Sequence, residues 1–140
     1  MAAIERFRGE YSFLSNFAPC KVQYGGKVFP TVEHAFQAAK CLDEEEMDIF
    51  LYVGTPEEAK KWGRVVKLRP DWEEVKVGIM EDLVRQKFTN PKYKELLIKT
   101  GDCPITEGNT WGDTFWGVCK GKGQNNLGKI IMKIRKELFE

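Results

Sequence analysis

The stretch Lys21-Val22-Gln23-Tyr24-Gly25-Gly26-Lys27-Val28-Phe29-Pro30-Thr31-Val32-Glu33-His34-Ala35-Phe36-Gln37-Ala38-Ala39-Lys40 decides the fold. Polar and apolar residues alternate on both sides of Gly25-Gly26, the pattern of a β-hairpin closed by a two-residue turn. Pro30-Thr31 ends the second strand. Thr31 then stands as N-cap before Val32, Ala35, Phe36 and Ala39, whose spacing of three and four predicts a helix ending near Cys41 or Leu42.

Downstream the helical period dominates. Residues 43–53 open with acids and continue through Met47, Ile49, Phe50, Leu51 and Val53 to Gly54, which predicts a short helix with negative charge at its positive end. Thr55-Pro56-Glu57-Glu58 joins a capping box to proline at the first helical position, so a helix starts there and runs toward Gly63 or Arg64. Asp71-Trp72-Glu73-Glu74 repeats the pattern, and Val75, Ile79, Met80, Leu83, Val84 and Phe88 extend it into the longest helix, stopped by Asn90-Pro91. A shorter helix over 92–99 ends at Gly101. Residues 101–126 sustain no period beyond a short strand expected at 104–107. Leu127, Ile130, Ile131, Ile134 and Leu138 form one face of a last helix, and Lys129, Lys133 and Lys136 line another. The expectation is a mainly α (α+β) chain of five or six helices with a small N-terminal β-hairpin, forming one compact domain over 1–140.

With 140 residues, 42% hydrophobic and 31% charged, the composition suits a globular core and excludes disordered and rod-like classes. A net charge of +1 argues against a protein that binds nucleic acid by bulk electrostatics, so any such contact must be local. Met1-Ala2-Ala3-Ile4-Glu5-Arg6-Phe7-Arg8 reaches charges before an apolar run develops, so neither a secretory signal nor a membrane span is expected and the chain reads as cytoplasmic. Cys20, Cys41, Cys103 and Cys119 lie far apart, and His34 is the only histidine, so structural zinc and disulfides are not expected.

Three places could carry chemistry. On a helix advancing about 100° per residue, Glu33, Gln37 and Lys40 fall within about 60° of one another beside the apolar stripe, as the wall of a polar cleft or as a solvated flank. His34 points away from them and suits a structural role. The loop Thr110-Trp111-Gly112-Asp113-Thr114-Phe115-Trp116-Gly117 gathers aromatic rings around one carboxylate, either to close a core edge or to stack on a base or sugar while Asp113 meets its polar part. Trp72 is a candidate third aromatic wall. Gly121-Lys122-Gly123-Gln124-Asn125-Asn126 runs into the last helix, where backbone N–H groups could receive a phosphate or where Asn125 or Asn126 merely caps the helix. Lys120, Lys122, Lys129, Lys133, Arg135 and Lys136 favour an anion on that side. Gly123 to Lys129 imitates a P-loop, but Ile130 stands where a hydroxyl must hold magnesium, so it is not one. No Gly-x-Ser-x-Gly or His-Glu-x-x-His is present either. These residues suggest a pocket for an anionic, aromatic small molecule such as a nucleotide, with Glu33 and Asp113 as its carboxylates.

Phe13-Leu14-Ser15-Asn16-Phe17, Phe29-Pro30-Thr31-Val32-Glu33-His34-Ala35-Phe36-Gln37-Ala38, Asp113-Thr114-Phe115-Trp116-Gly117 and Gly121-Lys122-Gly123-Gln124-Asn125-Asn126-Leu127-Gly128 together resemble the NADAR family of YbiA-like N-glycosidases. They occur in the family's order over nearly the whole chain, and Trp72, Lys87-Phe88 and Glu107 fall where the family has similar residues. Val118-Cys119 departs from the more Gly/Asp-rich stretch of many relatives. The resemblance implies hydrolysis of an N-glycosidic bond between ribose C1′ and a nitrogenous group, without metal or redox cofactor. The substrate would be an ADP-ribosyl adduct, such as ADP-ribosylated guanine in nucleic acid, or a phosphoribosylamino-pyrimidine intermediate of riboflavin synthesis. The reading leans toward the ADP-ribosyl side. It further implies Glu33 and Asp113 as catalytic carboxylates, Trp72 and Trp116 bracketing the base or ribose, and Asn16 and Gln37 positioning hydroxyls with Phe17 beside them. Lys40, Arg64, Lys87 and the loop bearing Gly121, Gly123, Asn125 and Asn126 would take the phosphate. The alternative is a non-catalytic ADP-ribose or NAD-binding module.

Overall fold

The structure, a computed structural model, describes residues 3–140. Among the described residues a 3-10 helix at Gly9–Leu14 precedes a hairpin of β1 (Val22–Tyr24) and β2 (Lys27–Phe29). Six α-helices follow: α1 (Val32–Ala38), α2 (Glu44–Tyr52), α3 (Pro56–Trp62), α4 (Trp72–Lys87), α5 (Pro91–Lys99) and α6 (Asn126–Leu138). Between the last two lie β3 (Gly108–Asn109) and β4 (Val118–Cys119). The mainly helical expectation with its small hairpin therefore holds, with one further 3-10 turn that no apolar period announced.

The chain forms two compact units. The first contains Asn16–Lys87. Its hairpin pairs Val22 with Phe29 and Tyr24 with Lys27 across Gly25 and Gly26, whose φ values of 58° and 78° explain why glycine fills both turn positions. Phe29, Phe36, Phe50, Trp72, Met80 and Leu83 are buried here. Burial of one such phenylalanine contributes about 1.5–3 kcal/mol. Every residue of α1 is buried, so the helix runs through the unit instead of lying on it. After Ala38 the bonds tighten to i−3, from Lys40 N–H to the Gln37 carbonyl and from Cys41 N–H to that of Ala38. The α-helix thus ends three or four residues before the predicted stop.

Caps follow the sequence in most places. Thr31 accepts from the N–H of His34, Thr55 from that of Glu58 and Asn90 from that of Lys92. Asp71 differs: its carboxylate takes two bonds from the Arg69 guanidinium, at 2.6 and 3.1 Å, a stronger partner than a backbone amide.

Among the described residues, the second unit joins 3–15 to Phe88–Glu140. The strand expected at 104–107 is a single bridge from Ile105 to Ile4; the parallel pairing lies later, Gly108 with Val118 and Asn109 with Cys119. Leu127, Ile130, Ile131 and Ile134 bury one face of α6. Arg135 is also buried, donating to Thr100 Oγ1 at 2.9 Å, so it ties α6 to the end of α5 and leaves the exposed basic stripe to Lys129, Lys133 and Lys136. No helix among the described residues is long and apolar enough to cross a membrane.

Candidate active site

Because α1 is wholly buried, its polar side chains are oriented by protein partners and not by water. Thr31 Oγ1 lies 2.8 Å from His34 Nδ1, and His34 Nε2 lies 3.2 Å from the Val53 carbonyl. An Nε2–H donated to Val53 leaves Nδ1 to accept from the threonine, and burial pushes the imidazole below its ordinary pKa. His34 pins α1 to the end of α2, a structural task.

Glu33 is 8% exposed and sits in the first turn of α1, where the helix dipole favours a carboxylate. Its own N–H donates to the Asn16 carbonyl at 3.1 Å, which fixes the approach of the preceding chain. Gln37, one turn later and 6% exposed, donates from Nε2 to Glu33 Oε2 at 2.9 Å. Its other amide atom, Oε1, is buried and accepts no hydrogen bond among the described residues. Lys40 donates from Nζ to the Gly63 carbonyl at 3.1 Å, and burial pushes its ammonium down while Glu33 draws it back up. A solvated flank is excluded for Glu33 and Gln37.

The other residues expected in this unit divide. Asn16 directs its amide at Met80 Sδ, 3.5 Å away, and Phe17 is half-buried. Arg64 is exposed directly after Gly63. Trp72 is buried against Phe36, ring centroids 5.0 Å apart, so it supports α1 as core in place of standing open as an aromatic wall. Lys87 is 1% exposed, and burial pushes its ammonium down to about 7, with the Cys20 thiol opposing that shift. A lysine whose charged form burial disfavours is a weaker phosphate clamp than Arg64. Gly63, read from sequence only as a helix end, turns out to touch both Lys40 and Gln37.

In the second unit, Asp113 Oδ1 accepts the backbone N–H groups of Phe115 and Trp116 at 3.1 and 2.9 Å. Asn109 brackets the same turn, donating from Nδ2 to the Asp113 carbonyl and accepting from its N–H, while also donating to Glu107 Oε2. One face of Asp113 is thus committed to shaping the loop that carries Trp116, whose ring meets that of Phe115 edge-on at 4.8 Å. Glu107 and Asn109 are the residues that sequence reasoning left out; only the family resemblance pointed at Glu107.

The 121–126 run differs from a simple phosphate cradle. The N–H groups of Gln124, Asn125, Asn126 and Leu127 donate to the carbonyls of Thr114, Gly117, Phe115 and Trp116, so the start of α6 is satisfied by the aromatic loop. Asn125 makes no side-chain cap; it sits at φ 54°, accepts from the Glu107 N–H and donates to the Ile105 carbonyl. Asn126 donates to the Phe115 carbonyl at 2.9 Å. Gly123 passes so close to the Gly117 carbonyl that no Cβ fits, whereas Gly121 is exposed with open space around it. The loop's function here is to hold the aromatic segment and α6 in one register, with Lys120, Lys122 and Gly121 at its exposed tip.

A family model described as the NADAR domain matches residues 5–139. The chain is 38% identical over 133 residues to the N-glycosidase YbiA of Escherichia coli, covering 92% of this chain and 82% of that one. It is 39% identical over 135 residues to an N-glycosidase of Nostoc punctiforme, covering 91% and 86%. A riboflavin biosynthesis protein of Vibrio vulnificus is 35% identical over 134 residues, which is 93% of this chain and 36% of that longer protein. The solution structure of E. coli YbiA superposes with a TM-score of 0.84 at 36% identity, covering 99% of this chain and 87% of that one. In sequence and in fold alike, the chain belongs to the NADAR family.

Proposed function

We propose that this chain is an N-glycosidase that hydrolyses the bond between ribose C1′ and a nitrogen of a base or amine. The observation that carries the reading is the buried Glu33 carboxylate, clamped by Gln37 in the first turn of a helix that never reaches solvent. Breaking an N-glycosidic bond builds positive charge on the sugar ring, and a fixed carboxylate in a water-poor site stabilises that charge and orients the attacking water. Glu33 takes this role. Gln37 and Asn16 position it and the sugar hydroxyls, with Phe17 alongside. Arg64 and Lys40 receive phosphate, assisted by Lys87 when protonated. Within the second unit, Asp113 shapes the loop that carries Trp116, a ring suited to a base, and the exposed tip of Lys120, Gly121 and Lys122, held by Gly123, Asn125 and Asn126, suits an anion. Trp72 contributes by backing α1 through Phe36.

The chain acts as a single domain over 1–140, supported by a family match that spans 5–139. Four free thiols suit the reducing cytoplasm. The substrate is an ADP-ribosyl adduct, such as ADP-ribosylated guanine in nucleic acid, or a phosphoribosylamino-pyrimidine; the riboflavin name of the Vibrio relative supports keeping the second. The test is chromatographic hydrolysis of both substrates by wild type and Glu33→Ala. Glu33-dependent release of ADP-ribose or of ribose 5-phosphate supports the reading and identifies the branch. Binding of either compound without turnover by the folded wild type overturns it in favour of a binding module.

A further inference from the structure

Gln37 holds an unusual position for an amide. Its Nε2 donates to Glu33 Oε2 at 2.9 Å, while its Oε1 is buried with no donor among the described residues. A buried carbonyl of this kind costs free energy, and proteins rarely keep one. Exchanging the amide end for end gives no relief, because it sets the carbonyl oxygen against the Glu33 carboxylate. The side chain is therefore held by Glu33 on one end and by packing on the other.

That packing is Gly63. A Cβ built at 63 would collide with Oε1, Cδ and Cγ of Gln37, its three nearest neighbours all belonging to that one side chain. The collision is not a backbone matter, since Gly63 caps α3 at φ −62° and ψ −17°, a conformation alanine adopts freely. Its N–H donates to the Ala59 carbonyl and its carbonyl accepts from Lys40 Nζ, so both backbone groups serve the fold and the site without needing glycine. What requires glycine is the volume occupied by the Gln37 amide.

We infer that Gly63 is a positioning residue for the reaction, acting through Gln37 to keep the Glu33 carboxylate clamped. This rests on the reading of Glu33 as the catalytic carboxylate. A side chain at 63 displaces the amide from Glu33 and leaves the carboxylate buried but unaimed.

The test is a cycle of wild type, Gly63→Ala, Gln37→Ala and the double variant, followed by the Gln37 side-chain amide resonances and by kcat and KM. In Gly63→Ala the amide resonances move, kcat falls about tenfold or more, and KM stays within about twofold. In the Gln37→Ala background, where the space is vacant, Gly63→Ala changes kcat by less than about twofold. Unmoved Gln37 resonances, or equal kcat losses in both backgrounds, overturn the inference. Should Gly63→Ala fail to fold, recovery of folding in the double variant supports the collision, and failure of both overturns it. Absence of any N-glycoside turnover by wild type refutes the activity reading alone, and the amide resonances then decide whether Gly63 positions Gln37.

Discussion

Lys87 offers the sharpest test of the electrostatics. Burial pushes its ammonium down to about 7 in the folded chain, whereas an unfolded lysine titrates at about 10.4. Between those values the unfolded chain binds more protons, so stability rises with pH through this window and falls as pH drops toward 7. Integrating the difference, the buried ammonium opposes folding by about 4 kcal/mol at pH 7 and by about 3 kcal/mol at about pH 8.5. Lys87→Met keeps the length of the stem and removes the charge. It is expected to gain up to about 4 kcal/mol at pH 7, less what the lysine's own contacts contribute, and to lose the lysine's contribution to the pH slope, on the order of 1–2 kcal/mol across that interval. The assay is urea unfolding of both proteins at the two pH values. Burial raises the Cys20 and Cys41 thiols, Cys41 to about 11; Cys41 is common to both proteins and cancels, while Cys20 is coupled to Lys87, so the difference between slopes reports Lys87 together with that coupling. Identical slopes, or a methionine variant less stable than wild type at pH 7, would refute the argument. If Lys87 serves phosphate binding, the stabilised variant also binds and turns over substrate less well.

Other consequences follow from named contacts. Glu33→Gln, which removes the ionisable group while keeping the side-chain length, should lower kcat about 100- to 10,000-fold with the circular dichroism spectrum unchanged. Asp113→Ala should cost about 1–2 kcal/mol in denaturant unfolding through the two amides it abandons, while Asp113→Asn keeps an acceptor oxygen and should retain most activity; inactivity of Asn with an intact fold would reveal a direct catalytic role. His34 has a folded pKa below its unfolded value, so its contribution to stability is complete above the ordinary histidine pKa and declines as pH falls through it and below; in His34→Gln the thermal midpoint should lose that acid-side slope. Phe50→Ala, which opens a cavity at a fully buried ring, should cost about 3–5 kcal/mol in the same unfolding assay.

Elements whose information is local were legible in the sequence. The hairpin is written in two alternating triplets around glycines that accept positive φ, and α1 and α3 are announced by Thr31 and Thr55, each of which caps the helix it precedes, whereas Asn90, read as the stop of α4, also caps α5. Glu33 and Gln37 could be grouped because residues four apart share a helix face. The structural reading of His34 followed from the same wheel, and the structure gives it Thr31 and Val53. The 3-10 turn at Gly9–Leu14 escaped because six residues show no period.

Only the tertiary structure decided what competes for each polar group. Asp71 sits in a capping pattern, yet the Arg69 guanidinium takes its carboxylate, a charged donor prevailing over a neutral amide. The amides leading into α6 look available in the sequence, yet carbonyls of the 114–117 segment fill them. Lys87 and Arg64 are both basic residues on paper, but burial pushes the ammonium of one down to about 7 while the other is exposed. Gly63 reads as a helix end, and only the approach of Gln37 from another helix makes it part of the site. By itself the sequence determined where the six α-helices lie, because their periods and caps depend on neighbours within a turn. Burial, and with it charge state and hydrogen-bond choice, depends on residues far away in the chain and was settled when the helices packed.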